Sequence, residues 1–592
     1  MMTTSVLTNE LIYKSFIIGA KNVIQEKNSL NAINVFPVPD GDTGSNLASM
    51  MTSIIEKSVL GETSEETIQS IADAAIVGAR GNSGIIFAQY IHGFSKGVKN
   101  DVLDTDTFVE NASSAADYAY QSISKPVEGT MITVMRTWAN ALREFKHAAS
   151  SFLDLLNHAF ESAKEELART PEKLAVLKEN KVVDAGAKGF VHFIEGFVKA
   201  LKGEDVEIHT EVEKINELHV EHLEDSLHRY CTEALLRGKN LNLEQMRAEL
   251  EKLGDSLVVA GSERTARVHI HTDHPDEVFA YIASMSNISE QKVDDMKRQF
   301  EAANHRKYPI AIVTDSIADL PDEMIDNYQI HQFPISLLIN DTTYYDKVTI
   351  RSERFYKMMD SLKVYPTSSQ PNAKSLENFF SFLTTYYKEV VVLTVSKEMS
   401  GTYQAFVEAA SKFNDAKIHV INTKQNSGAE GLLVLKTAEL IQSGKSYEEV
   451  IAEVEKLREQ TKILVSVKTL KYMVRSGRVS KVTGIAGKIM NLKPVISIDN
   501  DGKGIIFDKG LSIKSSNKKI FKHVKEVQDT YGIESYAIVH ANAWDRAKDY
   551  EEIYTSLIGK KPTYVMDIST VVAMSAGIGT VAIAYIRNED KK

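Results

Sequence analysis

Over the first two hundred residues apolar side chains recur every three or four positions, whereas after residue 308 they come as short unbroken runs separated by helical stretches. No single layered core accommodates both patterns, so the chain must divide. In the first part Leu11/Ile12, Phe16, Ala20 and Val23 share one helical face, as do Phe108, Ala112, Ala115 and Ala119, and Phe152, Leu155/Leu156, Ala159 and Ala163. The spacing predicts helices near 6–30, 44–57, 66–79, 84–96, 106–121, 130–147, 151–180 (interrupted at Pro171) and 187–202, an all-α domain over 1–205. After Lys202-Gly203-Glu204-Asp205 the pattern changes. An apolar stretch at Tyr230-Cys231, a helix 242–253, strands near 255–260 and 265–271 and a helix 276–285 predict a small α+β domain over 206–305. From Tyr308 onward, runs such as Ile310-Ala311-Ile312-Val313, Val390-Val391-Val392-Leu393 and Ile418-His419-Val420-Ile421 alternate with helices, the pattern of a layered α/β domain over 306–592.

Charge narrows the partners. With 69 basic against 80 acidic side chains, a net charge of −11 and no long basic run, there is no footprint for nucleic acid or an anionic membrane, and small molecules are the expected substrates. One cysteine cannot form an internal disulfide, and the N-terminus lacks the order of a signal peptide, so a cytoplasmic protein is expected. The uncharged stretch 568–586 approaches the roughly 20 apolar residues that span a bilayer, but Ser569, Thr570, Ser575, Gly577, Gly579 and Thr580 interrupt it. Ser575-Ala576-Gly577 reads as a loop between two short buried elements, and the stretch as core.

Four loops carry the chemistry of the first domain. In Asn34-Val35-Phe36-Pro37-Val38-Pro39-Asp40-Gly41-Asp42-Thr43-Gly44, Asp40 and Asp42 stand two apart on a loop stiffened by two prolines. Mg²⁺ takes one or two carboxylates plus waters and phosphates, which this pair suits; an isolated Asp-Gly-Asp is more often a polar turn. An EF-hand is excluded, because Met51 stands where its bidentate Glu belongs. Gly78-Ala79-Arg80-Gly81-Asn82-Ser83-Gly84, Lys125-Pro126-Val127-Glu128-Gly129-Thr130 and Val183-Asp184-Ala185-Gly186-Ala187 each open a helix. Glycines there admit a ligand close to the backbone, and free N–H groups with the helix dipole favour phosphate. None is a Walker A loop. If consecutive helices run up and down, all four loops lie at one end of the bundle, where a nucleotide–metal site fits better than four coincident caps. The residues assigned to it are Asn34, Thr43, Gly44, Ser45, Asn46, Gly81, Asn82, Ser83, Gly84, Gly129, Thr130, Asp184 and Gly186, with Arg80 as a further positive charge.

These loops resemble the ATP-binding loops of the dihydroxyacetone kinase L-subunit family, most closely its bacterial fatty acid kinase branch. The resemblance implies an eight-helix barrel with ATP and two Mg²⁺ at one rim, and Asp40, Asp42 and Asn34 as metal ligands. Asn34 stands where the L-subunit pattern has Asp, a feature shared with the fatty acid kinase branch, and Thr43 replaces a His.

In the middle domain His269 and His271 are two apart on a strand and project from one face. Cys231 lies in another apolar stretch that could pair beside them, and Cys with two His, leaving one position open, would suit Zn²⁺. A lone Cys is also a common buried hydrophobe, and paired His often only hydrogen-bond. The stretches 230–236, 254–259 and 268–275 resemble the central domain of fatty acid kinases, which implies zinc binding or help in phosphoryl transfer.

In the third domain Val313-Thr314-Asp315-Ser316, Pro366-Thr367-Ser368-Ser369-Gln370-Pro371, Ser400-Gly401-Thr402-Tyr403 and Ser476-Gly477-Arg478-Val479 are individually turns or caps. As a set they resemble the DegV family of bacterial fatty-acid-binding proteins over 308–590. On that resemblance Ser368, Ser369, Ser400 and Gly401 would hold a fatty acid carboxylate, with Arg478 near the head group and the acyl chain in an apolar tunnel. Ser575 stands where the family often has a His. The three resemblances together imply a fatty acid kinase fused to its lipid carrier, using ATP and Mg, forming a homodimer and in transient contact with a membrane that supplies the lipid. A linker able to span the sites would supply an effective concentration of about millimolar. A kinase of a small hydroxylated substrate, and a lipid-binding protein that senses nucleotide without catalysis, are the alternatives.

Overall fold

Helical spacing becomes helices wherever a cap starts them: the side chains of Thr8, Thr63, Asp104, Ser151 and Asp184 each accept an N–H from the first turn that follows. The computed structural model describes residues 6–36, 41–99, 103–207, 228–477, 482–483 and 493–589. Two compact units divide the chain, 1–296 and 297–592.

The first unit begins with helices α1 (Asn9–Gln25), α2 (Lys27–Ala32), α3 (Thr43–Lys57), α4 (Ser64–Gly78), α5 (Gly81–Ser95), α6 (Thr105–Gln121), α7 (Met131–Phe145), α8 (Phe152–Lys173), α9 (Ala175–Asn180) and α10 (Ala185–Leu201). A two-residue pair, β1 (Val6–Leu7) and β2 (Leu103–Asp104), ties its start to the residues before α6. These are the eight expected helices, the first and seventh each in two pieces. The seventh breaks at Leu174 rather than at Pro171. Proline lacks the N–H that would reach the Leu167 carbonyl, and the Thr170 hydroxyl donates to that carbonyl instead at 2.8 Å. At the core Phe16, Phe87, Phe193 and Phe197 meet edge to face, with centroids 5.1 Å apart for Phe87–Phe193 and 5.5 Å for Phe16–Phe193.

The middle module follows as β3 (Tyr230–Arg237), α11 (Leu243–Leu250), β4 (Asp255–Gly261), β5 (Thr265–Thr272), α12 (Pro275–Met285) and β6 (Asn287–Asp295), while α13 (Met296–Asn304) falls in the second unit apart from its first residue. Its strands form an antiparallel sheet in the order β4-β5-β3-β6. The sheet docks on the helices. Val259 N–H donates to the Ser122 carbonyl, Ser124 N–H to the Leu257 carbonyl, and Gly261 N–H to Gln89 Oε1 at 2.8 Å. Leu235, Val258 and Ala260 join the helical core itself.

In the second unit Lys417–Asn422, Glu389–Thr394, Ile310–Asp315 and His331–Phe333 form a parallel sheet in that order. Ser336–Ile339 pairs antiparallel with both Thr342–Tyr345 and Thr367–Ser369. A larger mixed sheet runs Val482–Thr483, Gly504–Asp508, Val495–Ile498, Thr461–Ser466, Val581–Arg587, Ile533–His540, Tyr564–Asp567. The uncharged 568–586 stretch is the helix Thr570–Ala576 followed by the buried strand Val581–Arg587, so Ser575 and Ala576 end the helix and the connection begins only at Gly577, where φ is +78. Among the described residues no helix is long and apolar enough to cross a membrane.

Phe193 is 5% exposed at the centre of the ring cluster. We expect Phe193→Ala to lower the stability of the first unit by about 3–5 kcal/mol. Urea unfolding followed by Trp138 fluorescence checks this, in a Trp544→Phe background that leaves one of the two tryptophans.

Candidate functional site

The four loops of the helical module meet. Asn34 Oδ1, on a side chain 2% exposed, accepts the Thr43 N–H at 3.0 Å and also the Thr43 hydroxyl. Asn31 exchanges two 3.0 Å hydrogen bonds with Ser45, its Oδ1 accepting the Ser45 N–H and its Nδ2 donating to Oγ. Gly44 lies so close to the Lys27 carbonyl that any Cβ would overlap it, which fixes glycine there. Asn46 Nδ2 donates to Asp42 Oδ1 at 2.8 Å, and Asn46 packs against Gly81 and Gly84. Gly186 in turn lies against Ser83 and Met131, while Gly129 lies against Thr170, whose hydroxyl accepts the Asp184 N–H at 3.1 Å. Thr130 precedes α7 and donates to the Val127 carbonyl. Asn82 Oδ1 is buried without a hydrogen-bond partner, an acceptor left over at the glycine loop. Asp40 lies outside the described residues.

One carboxylate joins two helix starts. Asp184 accepts the Ala187 N–H at 2.7 Å and the backbone N–H of Met131. Burial nonetheless outweighs these bonds and lifts its carboxyl to about 6.

The sheet face turned to this end is polar, and its register explains its composition. Opposite Cys231 on β3 stand His271 on β5 and Asp294 on β6; opposite Glu233 stand His269 and Lys292; opposite Leu235 stand Arg267 and Glu290. One ligand atom each from Cys231, His269 and His271 lies within 4.8 Å of the others. Cys231 Sγ is 3.9 Å from His269 Nδ1, and His269 Nε2 is buried without a partner. A thiol, two imidazoles and an orphaned buried nitrogen are the donor set Zn²⁺ takes. Desolvation pushes the Cys231 thiol well up, and the charges of Glu233, Asp294 and Asp42 add to it, so a cation there would be needed to hold a thiolate. His271 is pushed down to about 3 by burial and by His269.

Glu233 was not singled out by sequence, yet it connects the sheet to the glycine loop. Its Oε1 accepts the N–H of Gly81 at 2.7 Å and lies 3.5 Å from His269 Nδ1. Burial alone would raise its carboxyl, but His269, Lys292 and the Gly81 N–H outweigh that and hold it at about 2. Gly81 has φ +56, a left-handed conformation in which a side chain would also strike Asn46. Arg80 pairs with Glu290 at 3.0 Å and approaches Glu233 at 3.9 Å, so its charge is engaged with the sheet. Arg267, fully buried, donates to the Val77 carbonyl just before the loop.

In the second unit a cavity of about 400 Å³ is lined by Ser368, Ser369, Ser400 and Gly401, with Gln370 and Lys397 beside them. Its remaining wall is largely apolar, built from residues such as Val465, Ile496, Met473 and Val571, and Ser575 lines it too. Ser400 Oγ lies 2.8 Å from Thr402 Oγ1 at the start of Thr402–Ala410. Ser575 Oγ donates to Ser476 Oγ at 3.1 Å. Arg478 lies outside the described residues.

A helical domain whose glycine loops close onto a polar sheet, followed by an α/β domain with a hydroxyl-rimmed apolar cavity, is the arrangement on which comparison with known proteins bears. Residues 37–199 match the DAK2 domain, 227–303 the FakA-like middle domain of fatty acid kinase, and 309–588 the DegV family, described as uncharacterised protein. The chain is a fusion of these three domains, the first two of a kinase-like family. An uncharacterized protein of Staphylococcus epidermidis is 35% identical over 344 residues, covering 53% of this chain and 62% of the relative. One of Staphylococcus aureus is 36% identical over 310 residues, covering 50% and 57%. This chain therefore spans less than two thirds of the length of these relatives. Among solved structures, DegV, a fatty acid binding protein from Bacillus subtilis, is 26% identical with a TM-score of 0.45, covering 48% of this chain and 100% of that one. A fatty-acid-binding DegV family protein from Thermus thermophilus gives 25%, 0.44, 47% and 99%.

Because Asp184 is raised in the folded protein, the folded state binds the extra proton between about pH 4 and 6, and stability falls as pH rises through that window. Asp184→Asn removes this dependence. We expect the two proteins to match near pH 4 and the variant to be the more stable above about pH 6, by up to roughly 3 kcal/mol at 1.36 kcal/mol per pH unit, in urea midpoints measured across the range.

Proposed function

We propose that this chain is an ATP-dependent fatty acid kinase whose lipid-presenting domain is fused to the kinase. What carries the reading is the coexistence in one chain of converged helix-start loops beside a Cys/His/His cluster and a separate apolar cavity rimmed by Ser368, Ser369 and Ser400. A fatty acid-sized apolar body with an anionic head suits that cavity, because hydroxyls and helix-start N–H groups bind carboxylates while the remaining wall excludes water. The FakA-like middle domain and the DegV match support the same assignment.

Little chemistry beyond positioning is needed. A carboxylic acid with a pKa of roughly 4–5 is already ionised at neutral pH, so no base is required to make the nucleophile. A carboxylate oxygen forms a bond to the γ-phosphorus of ATP, the bond from that phosphorus to the bridging oxygen breaks, and ADP leaves with its electrons, giving an acyl phosphate. Mg²⁺ would offset the repulsion between the two anions, held by Asp42 and Asn34 together with Asp40. Cys231, His269 and His271 would hold Zn²⁺ as a site that shapes the same end of the barrel. The loop N–H groups would orient the triphosphate, and Asp184 keeps two of those helix starts in place.

A second reading, a lipid-binding protein that senses nucleotide without turnover, draws on Gly81, whose N–H is already taken by Glu233. Lipid-dependent ADP release separates them. We expect long-chain fatty acid to stimulate ATP turnover and Asp42→Ala to lower it by a hundredfold or more, on the order of the several kcal/mol a metal contributes. Turnover with a triose alone, or none with either substrate, would overturn the proposal. Ser400→Ala should weaken fatty acid binding about tenfold in titration calorimetry, the loss of one hydrogen bond to a charged group.

A further inference from the structure

Glu233 belongs neither to the loops expected to hold nucleotide nor to the three residues able to hold a cation, yet it touches both. Its Oε1 takes the N–H of Gly81, the first residue of α5, at 2.7 Å, and faces His269 Nδ1 at 3.5 Å. The carboxylate is buried, with its side chain 2% exposed. His269 Nδ1 lies nearer to Glu233, at 3.5 Å, than to Cys231 Sγ, at 3.9 Å, and the other nitrogen, Nε2, is buried without a partner and free to take a cation. An imidazole that gives one nitrogen to a cation keeps its proton on the other, and that proton is held by a carboxylate in most such sites. Glu233 is the carboxylate in that place. The same oxygen fixes a glycine loop in which Gly81 already sits in a left-handed conformation and would otherwise have to be ordered when a phosphate arrives.

We propose that Glu233 is a positioning residue that couples the Cys231–His269–His271 cluster to the 78–84 glycine loop, so that a divalent cation at the cluster and a nucleoside triphosphate at the loop raise each other's affinity. The inference rests on the kinase reading for the nucleotide and on the cluster's fit to Zn²⁺. The sign follows from order. A cation at His269 fixes the ring that faces Glu233, Glu233 then holds Gly81 more firmly, and the nucleotide finds the loop already set. Coupling of this kind is reciprocal, so the factor read from either ligand must be the same. The neighbouring Arg80–Glu290 pair, at 3.0 Å, lies on the same face but does not touch His269 in any described contact, and it serves as the control.

The experiment uses the full chain, stripped with a chelator and reloaded with Zn²⁺. A non-hydrolysable ATP analogue with Mg²⁺ is titrated by calorimetry with and without Zn²⁺, and Zn²⁺ affinity is measured against a chromophoric chelator with and without the analogue. We expect Zn²⁺ to tighten the analogue about fivefold or more, the analogue to tighten Zn²⁺ by the same factor, and hydrogen exchange at 80–84 to slow on Zn²⁺ loading alone. Glu233→Gln should still bind both ligands with a factor near one, while Glu290→Gln keeps the wild-type factor. Both ligands binding wild type independently, with exchange at 80–84 unchanged, overturns the coupling and leaves the kinase reading standing. An undiminished factor in Glu233→Gln removes Glu233 from it. A wild-type chain that binds Zn²⁺ but no analogue overturns the kinase reading and the coupling together, and one that binds the analogue but no Zn²⁺ overturns the coupling alone. If Glu233→Gln does not fold, the wild-type factor and the exchange data still decide.

Discussion

A buried carboxylate at a helix start is the contact on which the first unit turns. Glu233 is 1% exposed and remains ionised because a backbone N–H, an imidazole and a lysine outweigh its desolvation. Once β3 places that side chain against Gly81, alternation along the strand sends Cys231 and Leu235 to the same face and Thr232, Ala234 and Leu236 to the other. Antiparallel register then sets His269 opposite Glu233 and His271 opposite Cys231. A slip of one residue would move Glu233, the thiol and Leu235 away from the helices together. The cluster and the docking of the sheet are therefore one structural decision, and Leu235 sits in the helical core while Glu233 faces the loop.

Much of this was legible in the residues. Period-3.6 spacing marked the helices because their buried faces are apolar, and the glycine loops stood out because Gly44 and Gly81 occupy places no side chain can. The His269/His271 pair with Cys231 was visible as strand spacing. β6 was not: in Asn287–Asp295 the residues facing the helices are Glu290, Lys292 and Asp294, so the strand turns charges inward and its polar pattern resembles a loop. Glu233 was invisible for the same reason, since an isolated acid in an apolar run gives no signal until its partner, a backbone N–H 152 residues away, is known. The wall of the second unit's cavity was equally hidden. Lys397 and Gln370 reach it from separate segments, and only packing brings them to the serines.

Buried acids of the second unit are lifted as Asp184 is, and unlike Glu233. Asp315, Asp319, Asp346 and Glu430 are all fully buried. Asp315 accepts the N–H groups of Ile317 and Val395, and Asp319 accepts the Ser427 hydroxyl, where Ile317, Val395 and Ser427 line the cavity. These acids form a layer directly behind the wall. Burial lifts Asp315 and Asp346 to about 6 and Glu430 well above the carboxylate range, with neighbouring acids reinforcing the rise and Lys347 opposing it. Glu430 has no hydrogen-bond partner at either oxygen, which an ionised carboxylate in that position could not sustain. Glu430 is thus the neutral member of the layer, while Asp315 and Asp346, raised only to about 6, have Lys347 as the nearby opposing charge. These acids organise the backbone of the cavity wall, and among the groups lining it the serine hydroxyls and the Lys397 ammonium suit an anionic head group. Glu233 in the first unit is instead surrounded by donors and cations and keeps its charge beside the glycine loop. Burial is common to both; the compensating donors and charges decide whether a carboxyl is held low, as at Glu233, or lifted, as at Asp315 and Asp346.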